Sequence, residues 1–191
     1  YHGTVTMLVS MAVILFTGTT STLQLYITNC IYGTIAVYIL YILLVKTGAN
    51  KKIGFAVCFL LLISPNLNAT YVTQYYIELP GIIFSLLTFY FLMEWKLSEA
   101  NHKKLLSAGV CGGLAVYSYF NFLFFFPFVF LTVIRNSQNK ENFKLSKNIF
   151  TLLTGYALGC TPYILGYLSL VLLAADNLFS NNRYIYLLIA T

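Results

Sequence analysis

Four ionisable side chains stand apart from every other charge in this sequence: His2, Glu78, Asp176 and Arg183. A carboxylate such as Glu78 or Asp176 can take a proton from an attacking nucleophile. A guanidinium such as Arg183 can hold an anionic group through charge-assisted hydrogen bonds. Glu78 follows Tyr75 and Tyr76 and precedes Leu79-Pro80-Gly81, where the proline suits the first turn of a helix. Two plainer readings stay open: a carboxylate there is equally a helix N-cap, and Asp176 and Arg183 equally suit a solvated loop. Other chemistries lack their residues. The chain has no phosphate-cradling glycine loop, no Ser-His-Asp set and no cluster with metal-ligand spacing, so no metal site is assigned and a divalent ion is left open as a cofactor. Cys30, Cys58, Cys111 and Cys160 all sit in apolar stretches without a CxxC spacing, and read as small hydrophobes.

The isolation of those four groups follows from the composition. Of 191 residues, 59% are hydrophobic and 8% charged, and the mean hydropathy is +0.80. A soluble domain carries about 25% charged residues, so this chain cannot cover itself with a water-facing surface. Soluble enzyme, nucleic-acid binder and disordered chain are excluded as bulk descriptions. The apolar runs are continuous rather than alternating, which excludes barrel strands. The expected fold class is all-α: a polytopic membrane helical bundle of about six transmembrane helices, with one further short helix that either spans or lies at the interface. Ionisable groups near the membrane are costly and tend to be paired or functional.

The charges also orient the bundle. Ten of the eleven basic residues fall in three short segments: Lys46, Lys51 and Lys52; Lys96, Lys103 and Lys104; Arg135, Lys140, Lys144 and Lys147. The positive-inside rule makes all three cytoplasmic, so the net charge of +6 reflects topology and not an acidic partner. An even number of crossings then separates successive segments. Residues 23–45 form one clean span. Residues 53–93 hold two, with Tyr71, Tyr75 and Tyr76 as an outer aromatic belt and Trp95 at the inner interface. The 30 residues from 105 to 134 are too few for two full spans and too many for one. Either one long tilted helix turns the third segment outward, or a hairpin of two short helices, broken at Ser118–Asn121, keeps it inside; the hairpin is the preferred reading. Residues 149–173 run outward through Pro162 and deliver an outer loop with Asp176, Asn177 and Arg183. Residues 4–16 make the short helix that ends at Gly18. Asn68-Ala69-Thr70 is a glycosylation sequon, external on this topology. Gly109/Gly113 and Gly155/Gly159 are small-xxx-small pairs suited to close helix packing.

The order of these segments resembles the membrane part of the GT-C glycosyltransferases, the superfamily of protein O-mannosyltransferases and lipid A aminoarabinose transferases. Four stretches carry the resemblance. Tyr1-His2-Gly3-Thr4 through Leu15-Phe16-Thr17-Gly18 is similar to the family's juxtamembrane helix with its Phe-x-Gly-like turn. Residues 23–45 followed by Lys46 resemble its second transmembrane helix. Ser64-Pro65 and then Tyr75-Tyr76-Ile77-Glu78-Leu79-Pro80 resemble a span ending in proline and an acidic-x-Pro-like helix start, with Glu where many members carry Asp. Ala108-Gly109, Gly112-Gly113-Leu114-Ala115, Tyr117, Tyr119 and the Phe-rich run to Pro127 resemble the glycine-leucine-alanine helix and its short return; Pro162-Tyr163 fits the next span.

The resemblance implies a transferase that takes a sugar from a polyprenyl-phosphate carrier at the outer or lumenal face by direct displacement at the anomeric carbon. It assigns Glu78 as a catalytic acid of the outer face. Arg183 is expected to meet the carrier phosphate, with Asp176, His2, Tyr75 and Tyr76 as further substrate-binding candidates. The partners implied are a polyprenyl-phosphate-linked sugar and membrane lipid, with no nucleic acid; donor sugar and acceptor are left unassigned. The location implied is integral and multi-pass, in the plasma or inner membrane, or in the endoplasmic reticulum of a eukaryote. The family's main catalytic acid lies in an external loop that would precede Tyr1. Residues 1–191 are therefore expected to be one partial transmembrane domain, inactive alone. The alternative is a multi-pass transporter or flippase, which calls for charged or broken helices at mid-membrane.

Overall fold

The computed structural model describes residues 14–16, 18, 22–64, 78–98, 101–138 and 145–180. Six α-helices run in order: α1 (Thr22–Lys46), α2 (Lys51–Ile63), α3 (Leu79–Leu97), α4 (His102–Ser118), α5 (Phe126–Gln138) and α6 (Leu145–Ser180). A 3-10 turn, Phe120–Phe125, joins α4 to α5. No strand occurs among the described residues, in agreement with the all-α expectation. Among the described residues two stretches are long and apolar enough to cross a membrane, Ile27–Lys46 and Phe120–Ser137.

The helices start and stop where backbone chemistry requires. The short helical stretch at 14–16 closes at Gly18, with φ 64° and its N–H bonded to the Ile14 carbonyl at 2.8 Å, as the Phe-x-Gly turn predicts. Helix α1 ends at Gly48, φ 95°, a left-handed conformation that glycine adopts without a Cβ penalty. Asn50 and Asn101 then cap α2 and α4, their side chains accepting from the Lys52 and Lys103 amides. Each supplies one of the acceptors that a helix N-terminus lacks.

Helices successive in sequence alternate in direction, so the packed pairs α1 with α3 and α4 with α6 each run parallel. Tyr32, Ala36, Ile39 and Leu43 of α1 pack against Leu79 and Ile83 of α3, while Lys46 at the end of α1 pairs with Glu94 near the end of α3. A second cluster joins Leu92 and Trp95 of α3, Leu105 and Ala108 of α4, Val129 and Val133 of α5, and Leu152 of α6. The end of α5 thus lies beside the start of α4. Residues 105–134 form the expected return: α4 stops at Ser118, Tyr119 is extended at φ −157° and ψ 121°, and the chain turns back through the 3-10 segment. All three basic segments consequently flank one end of the bundle. Asn148, 1% exposed, ties α6 to α5 there by donating from Nδ2 to Ser137 Oγ at 3.1 Å.

The closest packing joins α4 to α6. Gly109 and Gly113 face Gly155 and Gly159 so tightly that a Cβ on Gly109 would fall 2.5 Å from the Leu152 carbonyl oxygen and 2.9 Å from the Gly155 Cα. One on Gly113 would fall 2.7 Å from the Gly159 Cα. In lipid, where apolar surface gives helices no reason to associate, such backbone approach supplies the van der Waals attraction.

Two expectations need correction. Trp95 does not face the membrane interface: it is fully buried, because α3 turns its Thr88, Leu92 and Trp95 face onto α4 and α6. Asp176 does not lie in a loop. Helix α6 continues through it to Ser180, since the stretch beyond Gly166 is rich in leucine and alanine and holds no glycine or proline to stop it. Pro162 lies inside the same helix, where it removes one backbone hydrogen bond.

Candidate functional site

Glu78 immediately precedes α3 and is its N-cap residue, with φ −81° and ψ −24°. Its carbonyl accepts from the Ile82 amide at 3.0 Å, but its side chain makes no capping hydrogen bond. Its half-buried carboxylate therefore stands at the positive end of the helix dipole without being consumed by the cap. Pro80 sits in the first turn and Leu79 is fully buried, which fixes the helix entry and with it the position of Glu78.

Below Glu78 on the same helical face come Gly81, Ser85 and Phe89, spaced three, seven and eleven residues on. Gly81 is in contact with the Phe122 ring, which occupies the place a Cβ would take. Ser85, about 10 Å from Glu78 along the axis, opens onto a crevice between α3, α4, the 3-10 turn, α5 and α6. Thr88, Phe122, Phe125, Phe126 and Tyr156 also line it, and the free space between them is only about 10 Å³, the room of a single water. Its wall is apolar: the Thr88 hydroxyl is turned back onto the Phe84 carbonyl, 2.9 Å away. Phe122 stacks on Phe125 with centroids 5.8 Å apart, and Phe126 meets Tyr156 edge-on at 4.6 Å. Gly112 leaves room for the Tyr156 ring, 2.9 Å from where a Cβ would stand. An apolar slot this narrow offers nothing to a sugar.

The opposite end of α3 carries a second glutamate. Glu94 is shared by two lysines: Lys46 bonds Oε1 and the Lys104 Nζ lies 3.8 Å from Oε2. Lys46 also donates to the Tyr90 hydroxyl at 3.4 Å and lies 4.4 Å from that ring's centroid. This group joins α1, α3 and α4, and the Glu94 charge is compensated. By sequence it reads only as part of a basic loop, because the pairing needs α1 and α4 both packed on the end of α3.

Of the candidates read from sequence, the described residues include Glu78 and the backbone of Asp176. His2, Tyr75, Tyr76 and Arg183 lie outside them, as does the Asn68 sequon. Among the described residues no ion pair involves Glu78, and no group of three or more His, Cys, Asp or Glu side chains is placed to hold a metal ion. Tyr156 was not singled out in the sequence, whereas the phenylalanine wall comes from the Phe-rich run that was. The available signal was a tyrosine inside a Gly155/Gly159 pair, at a depth where a membrane helix has no aqueous interface.

Comparison with curated proteins and with solved structures finds no match. Residues 4–165, most of the chain and all of the crevice, match a protein family described as dolichyl-phosphate-mannose-protein mannosyltransferase, and the chain belongs to that family.

Proposed function

We propose that this chain is part of a membrane glycosyltransferase that moves a sugar, mannose by the family's description, from a polyprenyl-phosphate carrier to an acceptor at the outer or lumenal face. Family membership over residues 4–165 carries the reading. The bundle supports it by separating its charges: three basic segments flank one end and Glu78 stands at the other. On this reading residues 1–191 form one transmembrane domain of about six spans, with the basic end cytoplasmic.

The step is a displacement. The acceptor nucleophile bonds to the anomeric carbon as the bond from that carbon to the phosphate oxygen breaks. The electron pair leaves with the polyprenyl phosphate, and the acceptor's proton passes to a carboxylate. Glu78 serves as such a carboxylate, or steers the acceptor toward another. The carrier's negative charge grows as it leaves and calls for a cation; Arg183 takes that part, with Asp176 orienting it. His2, Tyr75 and Tyr76 contribute to the same outer site. The carrier's hydrocarbon lies in a groove between helices.

The test is transfer in detergent by the full-length protein supplied with polyprenyl-phosphate mannose and candidate acceptors. Transfer without a second compartment is expected. Absence of both transfer and donor hydrolysis, with substrate uptake in liposomes, would replace the enzyme by a transporter.

A further inference from the structure

The three basic segments carry ten lysines and arginines against Glu94, Glu99 and Glu141, a net of +7. Glu94 already serves Lys46 and Lys104. Lys51 and Lys52, in the first turn of α2, are exposed and enter no ion pair among the described residues. Helix α2 is the outlying helix of the bundle. It buries Gly54 and Cys58 against α1, where Gly54 adjoins Tyr41 and the Cys58 thiol reaches the Val37 carbonyl at 3.7 Å. Its other side is an apolar stripe directly below the lysines. Lys52, Phe55, Phe59 and Ile63 recur at helical spacing on one face, the last three 64%, 51% and 52% exposed, and the Phe55 and Phe59 rings stack with centroids 6.2 Å apart.

A cation pair at headgroup level over an apolar rail has the charge and shape complement of one anionic phospholipid. A second copy of the chain fits worse. In a membrane both copies stand the same way up, so pairing on this face would bring one Lys51–Lys52 pair level with the other. A zwitterionic lipid covers the rail but leaves the lysines without net counter-charge. We propose that α2 binds an anionic phospholipid of the leaflet at the basic end, with its phosphate on Lys51 and Lys52 and an acyl chain along Phe55, Phe59 and Ile63. The site rests on the reading of the bundle as membrane-embedded.

The test is native mass spectrometry of the purified protein from nanodiscs of equal phosphatidylglycerol and phosphatidylcholine. The wild type should retain phosphatidylglycerol in preference. Lys51→Gln and Lys52→Gln should each weaken retention roughly five-fold, the scale for one lysine at an anionic surface, and Phe55→Ala with Phe59→Ala should weaken it too. Arg135→Gln with Lys147→Gln, the same charge removed elsewhere at that end, should leave it unchanged. Equal retention of both lipids, equal loss from the distant pair, displacement by glycerol 3-phosphate, or a dimer that shields the stripe would each overturn the site. Limited proteolysis separates the two failures. Complete digestion of the reconstituted chain removes the membrane reading and the site together, whereas protected helices without lipid preference remove the site alone.

Discussion

Helix α3 carries a glutamate near each end, and the two have opposite surroundings. Glu94 is held by Lys46 and Lys104, above a layer in which Trp95, Leu105, Val133 and Leu152 are fully buried or nearly so. Glu78 begins the same helix with no capping hydrogen bond from its side chain and with an aromatic crevice opening on the face below it. One carboxylate is spent on joining three helices. The other is positioned by buried neighbours on its backbone side, while its charge remains available. The two residues are alike in type and both partly buried, so what separates them is partnering.

The comparison can be broken most directly at Glu78. Glu78→Gln keeps the shape and removes the charge, and should lower transfer by the full-length protein about 10²-fold or more, the scale of a catalytic acid or base, with expression unchanged. Wild-type turnover would leave Glu78 as a helix start and nothing else. Arg183→Ala comes next. A charge-assisted contact with phosphate is worth roughly 1.5–3 kcal/mol, so donor use should weaken by about one to two orders of magnitude, and an unchanged apparent affinity for the donor would remove Arg183 from the site.

The framework offers a third comparison. Gly113→Val places a branched side chain where the Gly159 Cα already lies 2.7 Å from a Cβ position. Overpacking of this kind costs about 1–3 kcal/mol, and the variant should unfold in detergent at lower temperature than wild type. Gly33, whose Cβ position is open, should accept alanine without such a loss. Equal melting of Gly113→Val and wild type would contradict the packing. The smallest effect belongs to Glu94→Gln. Its pairs are partly exposed, at 23–37% of side-chain area, and pairs of this kind contribute at most about 1 kcal/mol each. Transfer should be close to wild type. A loss as large as that of Glu78→Gln would abolish the distinction between the two ends.

How much of this could be read from the sequence depends on whether the signal was local. The basic bias needs only the positions of ten charges, and it led to the return at Ser118–Tyr119 and to three segments flanking one end. Pro80, Gly18 and the paired glycines each act through their own backbone, and each does what its type predicts. Trp95 was misjudged because an aromatic near a helix end fits an interface and a core alike, and only the neighbouring helices decide between them. Asp176 was misjudged because polar residues after an apolar run suggest a loop, although nothing in that stretch breaks a helix. Of the crevice's aromatic wall only the Phe-rich run stood out in the sequence. The crevice joins Ser85, Phe122 and Tyr156 across 71 residues of sequence, and no spacing along the chain encodes that meeting.

The central claim is that Glu78 and the basic segments face opposite sides of a membrane, and cysteine labelling tests it most directly. In a background with Cys30, Cys58, Cys111 and Cys160 replaced, Glu78→Cys and Lys147→Cys would be exposed separately to a membrane-impermeant maleimide in intact cells. The account predicts labelling of Glu78→Cys in intact cells and of Lys147→Cys only after permeabilisation. Labelling of both from the same side would contradict it.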